Sequence, residues 1–147
     1  MEDIDLARSL LEEEKCNLVI VKKGDILFSS KERGIASFIQ AIQRLGKGLH
    51  NAAMADRIVG LAVAMLCIHA RIASVYANIG SQEALDLLKG RGVAVSSQHV
   101  VPHIFNYDGT DLCPFEKIAK SSENSAQLFS TLKSMFGGLD GNREAFT

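Results

Sequence analysis

The chain has 147 residues, 47% apolar and 22% charged, the proportions of one ordinary folded domain and not of a disordered segment. Its 16 Lys+Arg against 17 Asp+Glu leave a net charge of −1, so no basic field serves a nucleic-acid polymer. Three cysteines far apart exclude a disulfide framework and fit a reducing cytoplasm, and the acidic start Met1-Glu2-Asp3 lacks the basic stretch of a signal peptide.

Residues 4–15 begin with a helix, with Ile4, Leu6, Ala7, Leu10 and Leu11 at helical spacing. Leu18-Val19-Ile20-Val21 and Ile26-Leu27-Phe28 flank Lys22-Lys23-Gly24-Asp25, which reads as a hairpin. Residues 34–45 form a second helix with Ile35, Phe38, Ile39, Ile42 and Leu45 on one stripe, stopped by Gly46-Lys47-Gly48. Residues 53–71 read as one hydrophobic helix. Its core, residues 58–70, spans about 20 Å as a helix, short of the ~30 Å hydrocarbon layer. Arg57 and Arg71 bound it, so it is expected to be buried inside the domain, with no membrane partner.

Ser74-Val75-Tyr76-Ala77 reads as a third strand, and Ser81 as the N-cap of a short helix reaching Leu88. A fourth strand is expected over residues 100–105, then a turn at Asn106-Tyr107-Asp108-Gly109 and a helix from Pro114. A last helix covers residues 123–136, and residues 137–147 read as a flexible tail behind Gly137-Gly138. The pattern is a single domain over residues 1–136: a three-layer α/β/α sandwich with a mixed sheet.

Pro114 at the first helical position makes Cys113 the N-cap and Glu116 the residue able to bond back to the Cys113 amide. A thiol at a helix N-terminus is favoured as thiolate, which makes Cys113 a candidate nucleophile and Glu116 a candidate base. The bland alternative is a small buried cysteine ahead of an ordinary cap. Asp56 and Arg57, the charges at the start of the hydrophobic helix, are candidates to face a pocket, or else an intrahelical pair. Gly46-Lys47-Gly48, ahead of the same helix, offers amides for an anion or simply a connector. His99 and His103 on extended chain would stand about 13 Å apart and could not share one metal ion. The sequence contains no P-loop, G-x-S-x-G, H-E-x-x-H or C-x-x-C, so neither cofactor nor metal is expected.

Ala55-Asp56-Arg57-Ile58-Val59-Gly60-Leu61-Ala62, Val75-Tyr76-Ala77, Ser81, Val101-Pro102-His103-Ile104 with Asn106, and Cys113-Pro114-Phe115-Glu116 stand in an order and spacing that resemble an uncharacterised prokaryotic family with a cytidine-deaminase-like fold. Arg57, Tyr107 and Phe115 stand where that pattern has Lys, Arg and Met. Zinc deaminases need H/C-x-E at one helix start and P-C-x-x-C at the next. Here Ala55-Asp56-Arg57 and Ile79-Gly80-Ser81-Gln82 are expected at those places. The resemblance therefore implies the fold and argues against the zinc chemistry.

The combined expectation is a cytoplasmic protein binding a small anionic or nucleotide-like ligand through Asp56, Arg57, Ser81 and Asn106, with Cys113 and Glu116 bordering the same pocket. The alternative is a metal-independent enzyme using the Cys113 thiol. A homodimer is expected only because two-fold pairs are the commonest closed assembly.

Overall fold

The computed structural model describes the backbone of residues 2–141 and side chains up to Phe136. The element order is α1 (Asp3–Glu13), β1 (Leu18–Lys22), β2 (Asp25–Ser30), α2 (Ala36–Leu45), a 3-10 turn (Gly46–Leu49), β3 (Ala53–Val59), α3 (Leu61–His69), β4 (Ser74–Ser81), α4 (Gln82–Gly90), β5 (Ala94–Val101), α5 (Pro114–Ser121) and α6 (Ser125–Gly141). The strands form one sheet in the order β2-β1-β3-β4-β5. β1 runs antiparallel to β2 and β3, and β3, β4 and β5 are parallel.

Period-two alternation divides the sheet between two apolar clusters. Val19, Val21, Ala55 and Tyr76 meet Ala7 and Leu11 of α1 on one face. Leu18, Ile20, Met54, Val75 and Ala77 turn to the other face, with Phe38, Ile39, Ala64, Leu66 and Leu88 of α2, α3 and α4. α5 and α6 pack against α3. The hairpin is tied to α1 by Asp3, whose carboxylate accepts from the N–H groups of Lys23 (2.8 Å) and Gly24 (2.9 Å). Among the described residues no helix is long and apolar enough to cross a membrane.

The mixed α/β sandwich agrees with the sequence reading, but one segment within it does not. Residues 53–71 are not one helix: Ala53–Val59 is the central strand β3, and α3 begins only at Leu61, capped by Gly60. A strand buried on both faces is as continuously apolar as a buried helix, so periodicity alone does not separate them. The turn at Gly46–Leu49 therefore leads into a strand, and no helix start lies behind it to hold an anion. β5 occupies Ala94–Val101, earlier than the expected 100–105. α6 continues through Gly137 and Gly138 to Gly141, so the start of the expected tail is helical; its remainder, 142–147, lies outside the described residues.

Candidate functional site

β3 and β4 are parallel neighbours in register, Val59 beside Gly80, so their chain ends lie together at one edge of the sheet. α3 starts after Gly60 and α4 after Ser81, which places two helix N-termini side by side. Unpaired N–H groups and the helix dipole make such an edge favourable to anionic oxygen.

The α3 start is filled from within. Glu116, 5% exposed, accepts from Leu61 N–H through Oε1 (2.8 Å) and from Ala62 N–H through Oε2 (2.8 Å). Gly60 makes this contact possible. A Cβ there would fall 2.7 Å from Glu116 Cδ, closer still to Oε1, and 2.9 Å from Ile104 Cγ1. The expected return bond from Glu116 to the Cys113 amide is not made: Cys113 N–H donates to the Ile104 carbonyl (3.0 Å). Cys113 is the N-cap of α5, with Pro114 following, and its partly exposed thiol makes no cap hydrogen bond. Ser81 caps α4 as expected, its Oγ accepting from Ala84 N–H (3.2 Å), and is 1% exposed.

Asp56 and Arg57 lie on β3, not at a helix start, and point to opposite faces. Arg57 is committed to α1: Nη2 donates to the Leu11 carbonyl (2.7 Å) and Nε to the Cys16 carbonyl (2.9 Å). These satisfy carbonyls at and beyond the end of α1, so Arg57 does not join the site. Asp56 stands beside Leu18 and Ala77 on the α3 side. Burial pushes its carboxyl up to about 7, against the N–H groups of Ile58 and Arg57, which pull it down. The Cys67 thiol is pushed up by its own burial and by the charge of Asp56.

Asn106 is spent on its own turn: Oδ1 accepts from Thr110 N–H (3.1 Å) and Asp111 N–H (3.4 Å), while Nδ2 donates to Thr110 Oγ1 (3.3 Å). A second junction was not foreseen in the sequence. Glu83, in the first turn of α4, pairs with His103 Nδ1 (2.8 Å) and with Lys120 Nζ of α5 (3.1 Å). It fastens the segment between β5 and α5 beside Ser81. Oppositely charged residues at positions 83, 103 and 120 were the only sequence signal, and nothing local links them.

A family model described as TM1506, a domain of unknown function (DUF1893), matches residues 6–136. The chain belongs to the DUF1893 family. A crystal structure of the DUF1893 protein TM1506 from Thermotoga maritima is similar over 91% of this chain and 90% of that one, with 24% identity and a TM-score of 0.82. RibD from Acinetobacter baumannii is similar over 65% of this chain and 34% of its own, with 15% identity and a TM-score of 0.51. The dCMP deaminase of cyanophage S-TIM5 covers 65% of this chain and 93% of its own, with 14% identity and a TM-score of 0.48. No protein of curated function matches the chain. This DUF1893 chain therefore has the cytidine-deaminase-like fold.

The two helix starts at this edge are Gly60-Leu61-Ala62 and Ser81-Gln82-Glu83-Ala84, and Ala55-Asp56-Arg57, expected at the first, lies on β3. Neither carries His or Cys, and Glu116 takes the room a side chain on residue 60 would need. These residues do not fit a deaminase zinc site. Among the described residues no group of three or more His, Cys, Asp or Glu is placed to hold a metal.

Proposed function

We propose that this DUF1893 protein binds a small anionic or nucleotide-like ligand at the edge where β3 and β4 end, in the cytoplasm, and without zinc. The observation that carries the reading is the Glu116 carboxylate on the α3 amides: this edge already holds one anionic oxygen pair. The α4 start lies alongside, with Ser81 accepting from Ala84 N–H and the exposed Gln82 opening the helix. Asp56, Ser81, Cys113 and Glu116 are the candidates retained. Arg57 and Asn106 are not, because their polar groups are committed elsewhere.

Thermal denaturation with added CMP, AMP or inorganic phosphate tests this. Bound ligand raises Tm by mass action. The nucleotides are expected to raise Tm, and Gln82→Glu, which adds negative charge beside the site, to abolish the rise. No shift with any of the three at millimolar concentration would overturn the reading.

The second reading is a metal-independent enzyme using Cys113. It is favoured by one observation, a partly exposed thiol at the α5 N-cap with no cap hydrogen bond. Alkylation by iodoacetamide against pH decides it. A midpoint well below the ~8.5 of a free thiol supports the enzyme, and one at or above that value rejects it.

A further inference from the structure

β5 is the last strand on its side of the sheet. In a parallel pair, alternate residues turn both backbone groups to the neighbouring strand. Ala94 N–H donates to the Ala73 carbonyl at the foot of β4, so Ala94, Ser96, Gln98 and Val100 face β4. Val95, Ser97, His99 and Val101 then turn their N–H and C=O groups outward. Among the described residues no backbone group pairs with them; the His99 carbonyl accepts from Ser97 Oγ (2.5 Å).

Natural sheets protect such an edge with charge, proline, a bulge or a covering element. The opposite edge shows some of this: β2 opens on Asp25 behind Lys22-Lys23-Gly24, its pairing with β1 shifts register at Ile20/Val21, and Asp3 clamps its turn. β5 has none of these devices. Ala94-Val95-Ser96-Ser97-Gln98-His99-Val100-Val101 carries no Lys, Arg, Asp or Glu, and its pairing with β4 runs without a shift. Eight residues give an edge of about 26 Å. Val100 is 53% exposed, and the α1 side of this strand is open: among the described residues Gln98 there accepts from Tyr76 Oη and Asn78 Nδ2, each at 3.2 Å.

Amides and carbonyls in strand geometry with no backbone partner call for another strand. An uncharged strand laid antiparallel on its own copy about a two-fold axis meets no like charge, and every outward group finds a partner. We propose that β5 is the interface strand of a homodimer, its outer edge pairing antiparallel with β5 of a second copy to form a continuous ten-stranded sheet. The proposal does not depend on the ligand reading.

Light scattering on the purified chain tests it, together with His99→Pro. Proline there removes an outward N–H while leaving every bond to β4 in place, which edge strands tolerate. The wild type is expected at twice the 15.9 kDa chain mass. The variant is expected at the chain mass with unchanged far-UV circular dichroism. Amide exchange of the wild type reads the same pairing without a variant and decides the matter if His99→Pro does not fold. The outward amides of Val95, Ser97, His99 and Val101 are expected to be protected in concentrated solution and released on dilution. A monomer at high micromolar concentration, a dimer that survives in folded His99→Pro, or outward amides that exchange freely within the dimer would each overturn the proposal. The monomer result would leave the edge to solvent or to a different chain.

Discussion

The Glu116 carboxylate lies over Gly60, both of its oxygens holding the first amides of α3 at 2.8 Å. The absent side chain of one residue is thus the room for the other, and α5 is fastened to the helix that follows the central strand. Charge-assisted bonds to a helix start contribute about 1.5–3 kcal/mol each, and overfilling a packed site costs about 1–3 kcal/mol. Gly60→Ala is therefore expected to destabilise the fold by about 3 kcal/mol in urea denaturation. The double variant with Glu116→Ala should be less destabilised than the sum of the single changes, because both disturb one contact. Strict additivity would dissociate the two residues.

Arg57 gives a contrasting expectation. Its guanidinium serves carbonyls of Leu11 and Cys16, so Arg57→Met should cost about 1–3 kcal/mol through the lost hold on α1. Ligand-induced shifts in Tm, measured against the variant's own baseline, should be unchanged. Loss of those shifts in a folded Arg57→Met would return Arg57 to the site.

Asp56 sets a pH dependence with a definite sign. Burial pushes its carboxyl from the ordinary 3.8 up to about 7 in the folded chain. Between those values the native state holds the proton more often than the unfolded chain does. The stability from this group is therefore full below about pH 4, declines as pH rises towards 7, and is gone above it. The decline is no more than about 4 kcal/mol. Urea denaturation at several pH values should show Asp56→Asn with a flatter profile across this window. A wild-type profile that rises through it, with the same slope in the variant, would contradict the assignment.

Glu83 has the opposite sign. Burial would raise its pKa, but Lys120 and His103 outweigh burial and hold it below its ordinary value. Its contribution is present above the usual carboxylate range and is lost as pH falls through the folded value. Glu83→Gln is expected to speed amide exchange in residues 102–113 without unfolding the sheet. Unchanged exchange there would show that the two ion pairs do not hold the segment.

The features of the fold legible in the sequence are those with local causes. Ser81 as a cap, Pro114 after Cys113, and the hairpin around Lys23-Gly24 each follow from neighbouring residues. β3 was hidden because Ala53-Met54-Ala55 is buried on both faces and Ile58-Val59 runs on into the apolar α3, so only Gly60 marked the boundary between strand and helix. Glu116 sits where a capping box places a glutamate, yet its partners are on α3, more than fifty residues away. Arg57 reaches across the sheet to α1, and Asn106 folds back on its own turn. Long-range partners decided Glu116 and Arg57, which no local spacing encodes, whereas Asn106 is decided locally by Thr110 and Asp111 of its own turn.

Glu116 fills the α3 start from within, and the function proposed for this edge needs no zinc. Metal content of the purified chain after dialysis, measured by plasma mass spectrometry beside a deamination assay on cytidine and dCMP, tests it most directly. Zinc far below one per chain and no deamination, with or without added zinc, are expected. One zinc per chain, removed by chelator together with a deaminase activity, would contradict that reading.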